Sequence, residues 1–139
     1  MRILSEVKNV ASWIGVLLGF SLLAACGAQA IDPTSIGDPD HGREIFTTGA
    51  DILGEPCANC HSLDGSPREG DVAGPSLQGI AESAAGKVTG QTDVEYLRES
   101  ILDPGAYIVG GYRNDMEGGY KYLLGEEDVN DIVAFLLTQ

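Results

Sequence analysis

Basic residues are scarce in this chain. Among 139 residues there are 8 lysines and arginines against 21 aspartates and glutamates, a net charge of −13. That balance excludes a nucleic-acid binder, which needs a basic footprint for phosphates. Aromatics are only 6% of the residues, so the core does not rest on stacked rings. A long acidic low-complexity run is also absent, which argues against wholesale disorder. The strongest apolar stretch, Ser12 to Ala25, would form a helix of about 21 Å, short of the ~30 Å hydrocarbon core of a bilayer. Cysteine occurs three times and methionine twice, so every one of these sulfurs is a marked position. Glycine goes the other way. Its 19 occurrences are about twice the usual ~7% and predict many turns and loops. Length and composition together suit one domain.

The first 26 residues differ from the rest. Arg2 and Lys8 give a weakly basic start, followed by the apolar stretch and then small residues, the layout of a secretory signal. Leu23-Ala24-Ala25-Cys26 resembles the lipobox of bacterial lipoproteins. That resemblance implies cleavage before Cys26 and acylation of Cys26, so that residues 1–25 are a lipoprotein signal peptide. The alternatives are an uncleaved anchor helix from near Val10, or a signal cut elsewhere. Several acyl chains hold a protein firmly on a membrane, whereas one alone is marginal. In each case the remainder lies outside the cytoplasm, and lipidation would hold it on the outer face of the cell membrane. Residues 26–37 then read as the lipidated cysteine and a tether without periodicity, and residues 38–139 as the domain.

Within that domain the patterning is helical. Asp38 and Pro39 open a helix that runs through Ile45 and Phe46 to about Thr48. Residues 49–91 read mainly as loop, with helical turns near the cysteines and near residues 77–84. Thr92 and Glu95 form a capping box, after which Val94, Leu97 and Ile101 make a buried stripe ending before Pro104. Residues 104–124 read as loop. A last helix follows Gly125, with Glu126, Glu127 and Asp128 at its positive end and Val129, Ile132, Val133 and Leu136 as its apolar stripe. The expectation is an all-α fold with long loops.

Cys57-Ala58-Asn59-Cys60-His61 is the C-x-x-C-H haem-attachment sequence. Thiols at i and i+3 share one helical face and can add to the two vinyl groups of one porphyrin, while His61 reaches the iron. Zinc is a rival reading, but it needs four ligands, and the other Cys and His residues are only Cys26 and His41. A redox dithiol is another, without the βαβ context of thioredoxins.

From residue 38 onward the chain resembles class I cytochromes c. Gly42, Phe46 and Phe135 sit where that family crosses its terminal helices, and Gly74-Pro75-Ser76-Leu77 resembles its stretch after the haem motif. The resemblance implies one covalently attached haem c, with the Pro75 carbonyl orienting His61 as an axial ligand. It also implies a distal methionine before the last helix. Met1 leaves with the signal, so that position falls to Met116. The family usually has proline after this methionine; here it is Glu117. His41, beside Asp40, is the competing ligand and otherwise a solvated surface histidine. Residues 96–112 further resemble cytochrome domains of respiratory complexes: those fused to subunit II of haem-copper oxidases, and the lipid-anchored monohaem subunit of bacterial alternative complex III. No copper-site sequence is present, and the lipobox favours the second. Tyr107, Tyr112 and Arg113 are candidates to line the haem or meet its propionates, with ordinary packing and a solvated face as the alternatives.

Two filled axial positions block substrate and suit electron transfer, not bond chemistry. The expected role is a membrane-anchored electron carrier, not itself an enzyme, with other subunits of a quinol-oxidising complex as its redox partners. The alternatives are a free lipoprotein shuttle to an oxidase or reaction centre, and an open-site haem sensor or peroxidase.

Overall fold

The computed structural model describes residues 31–49, 54–68 and 73–139. The signal region, Cys26 and the first residues of the tether, up to 30, lie outside them. In chain order the helices are α1 (Pro39–Thr48), α2 (Cys57–Cys60), α3 (Ile80–Ser83), α4 (Asp93–Leu102), α5 (Tyr120–Leu123) and α6 (Glu126–Leu136). Among the described residues there is no strand, and no helix is long and apolar enough to cross a membrane.

Local chemistry sets each long helix. Asp38 caps α1, its Oδ1 accepting from Asp40 N at 2.9 Å and His41 N at 3.3 Å, with Pro39 in the first turn where its missing N–H costs nothing. The capping box of α4 forms as expected: Thr92 Oγ1 accepts from Glu95 N, and Glu95 Oε2 accepts from Thr92 N at 2.9 Å. At α6, Asp128 Oδ2 accepts from Gly125 N at 2.8 Å, and three acids occupy the positive first turn.

The frame is the crossing of α1 and α6. Gly42, Ile45 and Phe46 form the buried face of α1, against Val129, Ile132, Val133, Phe135 and Leu136 of α6. Gly42 permits the close approach, because a Cβ there would overlap the Asp131 carbonyl and lie 2.8 Å from Ile132 N. Beside it, the Phe46 and Phe135 rings pack with centroids 5.4 Å apart, and the Arg43 guanidinium covers the Phe135 ring at 5.6 Å. Helix α4 joins the crossing through buried Tyr96, Leu97 and Ile101, and its Arg98 bonds Asn130 and Glu126 of α6.

Three features depart from the expectations. The end of the expected tether is ordered: Pro33–Ser35 make a 3-10 turn capped by Asp32, whose carboxylate accepts from Thr34 N at 3.0 Å. The expected loop 104–124 contains the short helix α5, too brief for a periodic signal. Finally, His41 is not a purely solvated residue. About half exposed, it pairs through Nδ1 with Asp131 Oδ2 at 2.7 Å. Asp131 is itself buried at 5% exposure, and its other oxygen accepts from Asp38 N at 2.6 Å. One carboxylate thereby fastens the start of α1 to the middle of α6, and two partners compensate its burial.

Candidate haem site

Helices α2, α4, α5 and α6 and the loops between them enclose a largely apolar cavity of about 310 Å³. That volume falls within the ~300–1,000 Å³ of small-molecule and cofactor sites. Cys57, Cys60, His61, Pro75 and Met116 all line it, so the structure brings the residues marked in the sequence around one space. His41 does not line it, because it is committed to Asp131 on another part of the molecule.

Residues 56–68 and 73–77 are shaped around His61. Helix α2 is a single turn that sets the two cysteines three residues apart, and His61 leaves it in extended conformation, its N donating to Cys57 O at 2.9 Å. Gly74 N returns to Cys60 O at 3.0 Å, and Leu77 N to Ser62 O at 2.8 Å. These bonds lay residues 74–77 beside the histidine. His61 Nδ1 then donates to Pro75 O at 2.8 Å, which leaves Nε2 as the nitrogen available to a ligand. Burial lowers the His61 pKa and the bond to Pro75 raises it, with burial the larger effect. The lowering favours the neutral ring, the form that coordinates a metal. Gly74 makes room for it, since a Cβ there would lie 2.5 Å from Cε1 and 2.8 Å from Nδ1.

Cys57 does not have the environment of a reactive thiol. Burial pushes the Cys57 thiol up to about 11, opposite in direction to the lowered value of a catalytic dithiol. Among the described residues no group of three or more His, Cys, Asp or Glu is placed to hold a metal ion. The donor set therefore offers one imidazole nitrogen and one thioether, with two thiols alongside. That set fits a porphyrin iron bound covalently through its ring.

On the remaining wall, Tyr96, Leu97 and Ile101 of α4 supply apolar surface. Tyr107, Tyr112 and Arg113 line the cavity too; Tyr107 stacks edge-on against Tyr96 at 5.9 Å, and Arg113 pairs with Asp115 at 2.8 Å. Met116 is half-buried and packs against the core cluster, with exposed Asp115 and Glu117 on either side. Sequence reasoning missed Tyr120. It is buried, lines the cavity, and donates its hydroxyl to Glu55 O at 2.7 Å. Burial pushes its phenol up to about 12, so it remains a neutral donor. An aromatic four residues after Met116 was the available signal.

A comparison with curated proteins finds no match. The family model described as Cytochrome c matches residues 40–139, which is nearly the whole described helical unit. The all-α architecture, the crossing of α1 and α6 at Gly42 and the cavity around the C-x-x-C-H segment agree with that match, and the chain belongs to the cytochrome c family, as a class I electron-transfer domain with covalently bound haem c.

Proposed function

We propose that this protein is a membrane-anchored, monohaem electron carrier on the outer face of the cytoplasmic membrane, acting as a subunit of a quinol-oxidising respiratory or photosynthetic complex. In this reading Cys57 and Cys60 would hold the porphyrin, His61 and Met116 would ligate its iron, and acylated Cys26 would be the anchor. When bound, haem c supplies a one-electron ferric/ferrous couple. Pro75 fixes the His61 ring and keeps Nε2 directed for ligation. Met116 would be the second protein ligand and would leave no open position for water, oxygen or substrate. Apolar side chains of α4 and α6 line the cavity and would keep solvent from the bound group.

One observation carries the ligand assignment. His61, with Nδ1 committed to Pro75, shares a single cavity with the only methionine left once a signal is removed. The lipobox and the likeness of residues 96–112 to complex-bound cytochrome domains support the anchor and the subunit role. Residues 27–139 carry 6 basic and 20 acidic groups, which favours a basic docking surface on any diffusible partner.

Native electrophoresis of gently solubilised membranes, stained for haem and followed by mass spectrometry, tests the subunit role. The expected result is a large haem-positive band containing this chain with acylated Cys26 and quinol-oxidising subunits. Migration as an acylated monomer would replace the subunit with a free lipoprotein shuttle. An unmodified water-soluble product would overturn the anchor. Rapid carbon monoxide binding by the reduced protein would indicate an open-site sensor or peroxidase instead.

A further inference from the structure

The segment that carries Met116 is mostly exposed. Between the end of α4 at Leu102 and the start of α5 at Tyr120, no residue is buried, and Met116 is only half-buried. Gly118 and Gly119 follow, with nothing within 4 Å of a Cβ at Gly118, so the link onward is conformationally permissive. Tyr120, 8% exposed, is the first buried residue after the methionine.

What Tyr120 grips is informative. Its hydroxyl donates to Glu55 O at 2.7 Å, across a separation of 65 residues. Glu55 stands two positions before Cys57, and its side chain accepts from Asn59 Nδ2, inside the C-x-x-C turn, at 2.8 Å. Tyr120, Glu55, Cys57 and Met116 also border a second, apolar recess of about 20 Å³ beside the main cavity. The hydrogen bond therefore joins the segment bearing the distal sulfur to the segment bearing the attachment cysteines.

We infer that Tyr120 is a positioning residue: its hydrogen bond to the Glu55 carbonyl clamps the Met116 segment to the cysteine segment and sets how readily Met116 leaves the iron. The inference rests on the His61/Met116 reading. Without the hydroxyl, the ring still fills its place, but the Glu55 carbonyl loses its partner and the permissive link transmits motion to Met116. One neutral hydrogen bond corresponds to roughly three- to tenfold in the opening equilibrium.

Tyr120→Phe removes the bond and keeps the ring. Imidazole added to the oxidised holoprotein competes for the sixth position, and its apparent affinity scales with the fraction of molecules in which Met116 is displaced. The expected result is a rise in that affinity of roughly three- to tenfold, with the sulfur-to-iron absorption band lost at a lower temperature. Asp131→Asn weakens the α1–α6 junction and leaves the ligand segment alone, so its imidazole affinity should equal that of the wild type. Equal affinities for Tyr120→Phe and wild type would overturn the inference, as would an equal rise in Asp131→Asn. Met116→Ala separates the two claims. If it raises imidazole affinity while Tyr120→Phe does not, only the role of Tyr120 falls; if it has no effect, the ligand reading falls and this inference with it.

Discussion

Gly42→Ala should be among the most damaging one-carbon changes available in this domain. The added Cβ would overlap the Asp131 carbonyl and sit 2.8 Å from Ile132 N. Both obstacles are backbone, so no side chain can rotate away. Restoring an ordinary separation of ~3.5 Å at Ile132 alone requires the helices to part by roughly 0.7 Å. A gap of that size forfeits a quarter to a half of the contact energy across it. Phe46, Ile132, Val133 and Phe135 meet at this crossing, each exposed by 2% or less. At ~2 kcal/mol per buried side chain, the four together lose about 2–4 kcal/mol. The better helix propensity of alanine returns up to ~1 kcal/mol, leaving a net cost of about 1–3 kcal/mol. For a domain near 100 residues this lowers Tm by roughly 5–20 °C. Thermal unfolding of the holoprotein followed by far-ultraviolet circular dichroism measures it. Gly86→Ala is the matched control, because nothing lies within 4 Å of its Cβ. A Gly42→Ala protein melting with the wild type would refute the crossing geometry.

Three further outcomes follow from the geometry. The Asp131 hydrogen bond raises the pKa of His41 above its ordinary value, with Asp128 and Glu44 adding to the effect. The pair's contribution is therefore complete below that ordinary value and is lost as pH rises through the raised one; denaturant titrations across this range should show wild type losing its advantage over His41→Asn, and parallel pH profiles would contradict the pairing. Gly74→Ala should displace the His61 ring, since its Cβ would lie 2.5 Å from Cε1; electron paramagnetic resonance of the oxidised protein should show an altered axial field, and an unchanged spectrum would refute the tight seat. With a soluble basic partner, association should slow as ionic strength rises, and a salt-independent rate constant in stopped-flow measurements would remove charge from the docking account.

Much of this architecture was legible because its signals are local. Asp38-Pro39, the Thr92/Glu95 box and the acids after Gly125 are short-range capping chemistry, and each marks the helix it begins. The C-x-x-C-H segment and Gly74-Pro75 are likewise short contiguous signatures, and their resemblance to class I cytochromes c implied the His61 hydrogen bond to Pro75 that the structure contains. What escaped notice depends on partners distant in sequence. Asp131 looks like one more acid on an acidic helix, and only the fold brings Asp38 N and His41 to its two oxygens. Tyr120 lies in a stretch without periodicity, and its partner is a backbone carbonyl, which no residue type announces. The 3-10 turn at Pro33–Ser35 is too short to leave a pattern, although Asp32 and Pro33 are recognisable as its start.

The central claim is that His61 and Met116 close the iron from both sides, and the absorption spectrum of the oxidised protein tests it most directly. Wild-type protein should show the weak long-wavelength sulfur-to-iron band. Met116→Ala should lack it while retaining covalent haem through Cys57 and Cys60, and its reduction potential should fall as the thioether is lost. His41→Asn should keep the band, because His41 belongs to Asp131 and not to the cavity. A Met116→Ala protein with the wild-type spectrum and potential would contradict the account, since another group would then have to hold the sixth position.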